Sequence, residues 1–143
     1  MMEPLTLVVL RSRGRVPDGI GRLVAATLHG KSAVIPAEDV LDRWIASPAG
    51  DTLAERTLGA NLLKLNAVTL LKNGYHVVVE AGGSAPEQGI RDLVYLAGTF
   101  GVRAVQVELA EPGEADGGPE GRIVVGPDPE EAARRVVAYV RRR

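Results

Sequence analysis

The sequence predicts a single α/β domain built around a central parallel sheet, and three observations carry that expectation. Short apolar runs rich in Val, Ile and Leu recur along the chain, bounded by Gly, Pro, Asn or Asp. Longer segments between them show helical spacing of apolar residues, with recognisable start and stop signals. Strand and helix alternate five times with no internal repeat and no linker. That order predicts a three-layer α/β/α sandwich, a five-stranded parallel sheet covered by helices on both faces. The 143 residues suit one domain over residues 1–143, large enough for a real hydrophobic core.

Leu5 to Leu10 is a continuous apolar run and reads as a strand buried on both faces, as a parallel sheet requires. Arg11 to Asp18 is polar and turn-rich, and a helix is expected from about Gly19 to His29, with Gly30 as its stop. Ser32 to Pro36 reads as a second strand, which the proline ends. Glu38 to Ile45 reads as a short helix broken by Ser47-Pro48-Ala49-Gly50. Asp51 is placed to cap a long helix that reaches Lys72 and closes at Asn73-Gly74. His76 to Glu80 is the third strand, and Gly82-Gly83 turns the chain. Ser84-Ala85-Pro86-Glu87 has the spacing of a capping box for a helix to about Phe100. Ala104 to Leu109 is the fourth strand, Glu111 to Gly121 a loop, and Arg122 to Gly126 the fifth strand. Asp128-Pro129-Glu130-Glu131 opens the last helix with a cap residue, a proline at the first helical position and first-turn acids.

Composition narrows the function classes. Against 17 Lys and Arg stand 18 Asp and Glu, so the net charge of -1 gives no general reason to expect nucleic acid or an acidic membrane as partner. The absence of cysteine excludes disulfides and thiolate–metal sites. His29 and His76 are too few and too far apart to suggest a metal centre by themselves, and no metal site is expected. No apolar run approaches the roughly 18 residues of a membrane span. Met1-Met2-Glu3-Pro4 lacks the basic start of a signal peptide, so the expected location is cytoplasmic.

In a doubly wound parallel sheet, ligands bind beyond the C-terminal strand ends. The segments to examine are therefore Arg11 to Leu23, Ala37 to Asp42, Glu80 to Ser84 and Glu108 to Gly121. The first is a glycine-bearing turn between a strand and a helix, where backbone N–H groups and the helix dipole favour an anion. Set against the phosphate-loop pattern G-x-x-x-x-G-K-[ST], the local alignment is Val16-Pro17-Asp18-Gly19-Ile20-Gly21-Arg22-Leu23. Gly19 and Gly21 fall on or beside the inner glycine, Arg22 on the lysine and Leu23 on the hydroxyl residue. Gly30-Lys31-Ser32 mimics the end of the pattern but precedes a strand.

Together with Val34 to Val40, Leu70 to Ala81, Arg91, Val105 to Pro112 and Ile123 to Glu131, this turn resembles the small P-loop NTPase kinases. The resembling groups are the chloramphenicol phosphotransferase-like, polynucleotide kinase-like and adenylylsulfate kinase-like kinases. The resemblance covers nearly the whole chain as an order of elements. It implies an anion or nucleotide held by Gly19, Ile20, Gly21, Arg22 and Leu23. It also implies a catalytic base from the acidic pair Glu38 and Asp39 if the protein is active, though the pair reads equally as plain acids of a helix N-terminus. At Glu80 it implies a relic of the carboxylate that positions metal-bound water, and the residue reads equally as a structural ion-pair partner for a first-loop arginine.

The departures from that pattern point to a degenerate member. Lysine reaches the β- and γ-phosphates and Ser/Thr holds Mg²⁺ in such sites. Arg22 keeps the charge without the point-charge ammonium, and Leu23 cannot ligate a metal. Pro112 to Gly121, where the family carries an arginine-bearing lid, has no Arg or Lys and is short and acidic. The expectation is a non-catalytic binding or regulatory module with a residual anion site, requiring no cofactor. The alternative is an ATP·Mg-dependent phosphotransferase on a small hydroxyl substrate. The third reading is a doubly wound domain that never bound nucleotide. Expected partners are a phosphate-type anion or nucleotide; a homo-oligomer or a protein partner remains open. Arg11, Arg13, Arg15 and Arg22 read either as a cationic patch or as solvated arginines. His76 reads as structural, and Trp44 as core or pocket lining.

Overall fold

The computed structural model describes residues 4–37, 53–83, 85–111 and 121–143. Five strands form one sheet: β1 (Thr6–Ser12), β2 (Ser32–Pro36), β3 (His76–Ala81), β4 (Arg103–Ala110) and β5 (Arg122–Val124). Four helices are described: α1 (Ile20–Thr27), α2 (Leu53–Lys72), α3 (Glu87–Thr99) and α4 (Pro129–Arg141). Every strand pairing is parallel, in the order β2-β3-β1-β4-β5. Each expected strand and long helix is present, with ends shifted by a few residues. The expected helix over 38–45, the Asp51 cap, Trp44 and the short lid fall outside the described residues.

The two faces of the sheet have separate cores because alternate residues of each strand point in opposite directions. Val8, Leu10, Val78, Val105 and Val107 face α1 and α4, meeting Ile20, Val24, Val136 and Val140. Leu7, Val9, Val77 and Val79 face α2 and α3, meeting Leu63, Ala67, Leu71, Ile90 and Leu93. Burial of β1 and β3 on both sides explains why their sequences are unbroken apolar runs.

Helix capping agrees with the sequence at two helix ends. At the end of α2, Gly74 (φ +84°) accepts the left-handed turn. Its N–H bonds to the Leu71 carbonyl at 3.0 Å, and Tyr75 N–H bonds to Leu70 at 3.1 Å, a Schellman closure. Asp128 Oδ1 accepts from Glu130 N–H at 3.0 Å to start α4. The capping box expected for α3 begins at Ser84, which lies outside the described residues. Pro86 directly precedes the helix, and Glu87 is its first residue. The Glu87 side chain reaches an arginine of β1.

His76 is structural. Its ring is 4% exposed; Nδ1 accepts from Thr6 N–H at 3.1 Å, and Nε2 donates to the His29 carbonyl at 2.8 Å. The ring thereby ties the start of β1, the start of β3 and the turn after α1 together, satisfying two backbone groups that strand pairing leaves over.

Candidate functional site

The switch point of the sheet lies where neighbouring strands β1 and β3 send their connections to opposite faces, α1 to one core and α3 to the other. The loops that diverge there are tied across the gap by Gly83 N–H donating to the Gly14 carbonyl at 3.0 Å. Only glycine fits at position 83, since a Cβ there would collide with the Arg13 carbonyl.

Of the five residues expected to hold an anion, Gly19 is the N-cap of α1. It has φ +88°, a conformation that favours glycine, and no side chain caps the helix. Ile20, the first helical residue, is completely buried in the core beneath α1. Gly21 is buried, Arg22 is exposed, and Leu23 packs partly buried against the same core. The structure therefore brings these residues to one helix N-terminus, where first-turn N–H groups have no intrahelical partner.

The helix start also exposes a second alignment. Gly14 and Gly19 enclose four residues, and Gly19 stands directly before the first helical residue. This is the spacing of the two glycines in a strand–GxxxxGK[ST]–helix unit. In that frame Ile20 takes the lysine position and Gly21 the hydroxyl position. The signal was present in the sequence as Gly14-x-x-x-x-Gly19. The frame that begins at Val16 starts the loop late after its strand, whereas the frame that begins at Gly14 follows the strand after a single residue.

A carboxylate stands beside this turn. Glu80, near the end of β3, lies so close to α1 that a Cβ on Gly21 would sit 2.6 Å from its Oε2 and 2.8 Å from its Cδ. The space that a residue-21 side chain would fill is thus taken by the Glu80 carboxyl group. A negative charge there is favoured by the first turn of α1.

Arg11, at the end of β1, is not a free cation. Its Nη1 and Nη2 donate to Glu87 at 2.8 and 3.0 Å, and its Nε donates to Gln106 Oε1 at 2.7 Å. Arg91, one turn further along α3, also approaches Glu87, at 3.6 Å. The Arg11 hydrogen bonds hold the Glu87 carboxyl below its ordinary value against some opposing desolvation, with Arg91 adding to the effect. Of the four arginines that read either as a cationic patch or as solvated residues, Arg11 is drawn into this network. Arg13, Arg15 and Arg22 are exposed. Beside this network, a cavity of about 480 Å³ opens at the ends of β1 and β4, bordered by Arg11, Arg13, Gln106 and Glu108. Glu108 is paired there with Arg122 at 3.6 Å.

Glu38 and Asp39 lie outside the described residues. Among the described residues no three His, Asp or Glu side chains group as metal ligands. A Mg²⁺-bound nucleotide would need a hydroxyl at the start of α1, and neither Gly21 nor Leu23 supplies one. The first-turn residues do not fit such a metal. No helix among the described residues is long and apolar enough to cross a membrane.

The sheet order and the glycine turn at the end of β1 define a class: the chain has the fold of the P-loop kinases. Within that class, its likeness is to adenylylsulfate (APS) kinases. It superimposes on the hexameric APS kinase of Thiobacillus denitrificans with a TM-score of 0.66 at 19% identity, covering 97% of this chain and 29% of that one. An APS kinase of Mycobacterium tuberculosis, in complex with AMPPNP and APS, matches with a TM-score of 0.68 at 17% identity, covering 97% and 99% of the two chains. A de novo designed P-loop fold protein matches at 0.53 with 16% identity, covering 96% and 92%. No protein-family model matches the sequence, nor does any curated protein. At these identities the likeness establishes the fold.

Proposed function

We propose that this chain is a non-catalytic P-loop kinase-like domain, a binding or regulatory module that keeps an anion-facing turn without the groups that transfer a phosphoryl. The observation that carries this reading is the pair of residues opening α1. Ile20 is turned into the core and Gly21 faces the Glu80 carboxylate. In the frame set by Gly14 and Gly19, neither the lysine nor the hydroxyl is present. In the frame set by Gly21, arginine and leucine replace them.

Phosphoryl transfer rests almost entirely on positioning and on neutralising charge over the transferred group. Without an ammonium on the phosphates or a metal-holding hydroxyl, the described residues of the turn meet that charge with backbone N–H groups and exposed arginines. Such a turn supports weak binding of phosphate, sulfate or a nucleotide's terminal phosphate. The adjacent carboxylate opposes even that.

Isothermal titration with ATP and ADP, with and without Mg²⁺, tests the reading. The expected result is weak binding or none, unaffected by magnesium. Tight, Mg²⁺-dependent ATP binding, or ATP turnover lost on Glu38→Gln or Asp39→Asn, would overturn it in favour of an active phosphotransferase with Arg22 in place of lysine. Unchanged anion binding by Arg22→Ala would remove Arg22 from the site.

A further inference from the structure

We infer that the end of the sheet opposite the glycine turn binds the backbone of a single-stranded nucleic acid. Four parallel strands start level there, since Ser32 of β2 pairs with His76 of β3 and Thr6 of β1 pairs with Arg103 of β4. The helices of a parallel α/β sandwich run back to the same end. Five cations stand on it: Lys31 before β2, Lys72 at the end of α2, Arg103 at the start of β4, and Arg142 and Arg143 after α4. Arg103 is half-buried and the other four are exposed. The described residues that build this end, 4–6, 27–32, 71–76, 98–103 and 140–143, include no Asp or Glu. Acids such as Glu55, Glu80, Glu87, Glu108 and Glu130 stand at helix starts or late in strands, toward the other end. The net charge of -1 conceals this polarity, because it averages two ends that the fold keeps apart.

Contacts join the cations into one surface. Lys31 Nζ donates to the Asn73 carbonyl at 3.1 Å, linking the turn after α1 to the end of α2. Arg103 donates to the Arg143 carbonyl and to Thr6 Oγ1, both at 3.4 Å, linking the starts of β4 and β1 to the end of α4. The His76 ring connects the two halves, between Thr6 N–H and the His29 carbonyl. The acceptors of Lys31 and Arg103 are neutral oxygens, which hold the side chains in place without cancelling their charge. Helix dipoles offset part of it. Four helix ends carry about -0.5 each, roughly -2 in all, which leaves an excess of about three positive charges.

Aromatic rings select the kind of polyanion. Lys31 Nζ lies 4.7 Å from the Tyr75 ring centre, Lys72 Nζ 5.2 Å from that of Phe100, and Arg143 Cζ 4.6 Å from that of Tyr139. Three of the four described aromatic residues thus stand beside a cation of this surface. Single strands are held by that pairing, with cations along the backbone and rings against unstacked bases. Phe100, 47% exposed, has a ring open to such a base. A duplex keeps its bases stacked, and the carboxylates of an acidic peptide make no use of rings. A membrane surface calls for a broad apolar face. At this end Phe100 is the one exposed large hydrophobic among the described residues.

Fluorescence anisotropy of a labelled oligo(U) of about 20 nucleotides tests the inference. At ~50 mM salt the expected Kd is on the order of 10 µM. Log Kd should rise with log salt concentration with a slope of about 3, near 0.7 for each phosphate contacted. Arg142→Gln combined with Arg143→Gln should weaken binding at least roughly tenfold and lower that slope by about 1.4, with unchanged far-ultraviolet circular dichroism. Phe100→Leu should weaken it about fivefold and keep the slope. Arg13→Gln combined with Arg15→Gln, at the far end of the sheet, should change it less than about twofold. Absence of binding at ~50 mM salt overturns the inference. So does an equal loss in the Arg13 and Arg15 variant, which places the contact at the glycine turn. Tighter binding of a duplex of the same length, or displacement of the oligonucleotide by phosphatidylserine vesicles, overturns the assignment to a single strand.

Discussion

The contact between Glu80 and Gly21 can be measured as a coupling energy. Gly21→Ala places a methyl 2.6 Å from Glu80 Oε2, 2.8 Å from Cδ and 3.0 Å from Cγ. Taken alone, a helical Gly→Ala gains about 0.5–1 kcal/mol from propensity and a stiffer unfolded chain. Overpacking opposes it at about 1–3 kcal/mol, toward the low end here because part of the obstacle is the end of a flexible side chain. The net expectation is a loss of roughly 0.5–1 kcal/mol. Glu80→Ala removes Oε2, Cδ and Cγ together and opens the space for the methyl. In that background Gly21→Ala should stabilise, by about 0.5 kcal/mol. The double-mutant cycle then gives a coupling of about 1 kcal/mol, read from urea unfolding followed by circular dichroism at 222 nm. Additivity within ~0.3 kcal/mol would show that Glu80 does not occupy the space above Gly21, and with it would fall the account of the displaced hydroxyl.

Other expectations follow from the same structure. Gly89→Ala should cost about 1–3 kcal/mol, since its Cβ meets helix backbone at Ala60 that no side-chain rotation can clear; an unchanged urea midpoint would contradict the close crossing. His76→Phe leaves Thr6 N–H and the His29 carbonyl without their buried partner and should lower stability by about 2–4 kcal/mol. The Arg11–Glu87 pair sets a pH dependence. Because the folded-state value of Glu87 lies below its unfolded one, the pair's contribution is present at neutral pH and is lost as pH falls through the folded-state value. The side chains are 30% and 51% exposed, so solvent screens the effect to a fraction of a kcal/mol. Glu87→Gln should flatten stability against pH in the acidic range and leave the neutral value nearly unchanged, as thermal melts from pH 3 to 7 would show.

Much of the fold is legible in the sequence because local signals agree with one another. Asp128-Pro129 starts a helix, Asn73-Gly74 ends one, and unbroken apolar runs such as Leu7 to Leu10 and Val77 to Val79 can only be strands buried on both faces. The partner of Glu87 is not legible for a physical reason. Its carboxylate takes a two-pronged ion pair with Arg11, a residue of another element that no local pattern points to. The candidate site is legible only in part. Gly14 and Gly19 stand in plain view and the helix start is legible to within a residue, yet two residues of register between the Gly14 and Val16 frames decide which side chains replace the lysine and the hydroxyl.

By itself, the amino-acid sequence determines the class of fold, the position of the glycine turn and the lack of thiol chemistry, since each depends on residue type and near neighbours. Strand order, the burial of Ile20, the capture of Arg11 by Glu87 and the approach of Glu80 to Gly21 were decided by the tertiary structure alone. Those contacts join residues dozens of positions apart, and their geometry depends on how two cores pack against one sheet, which no local pattern encodes.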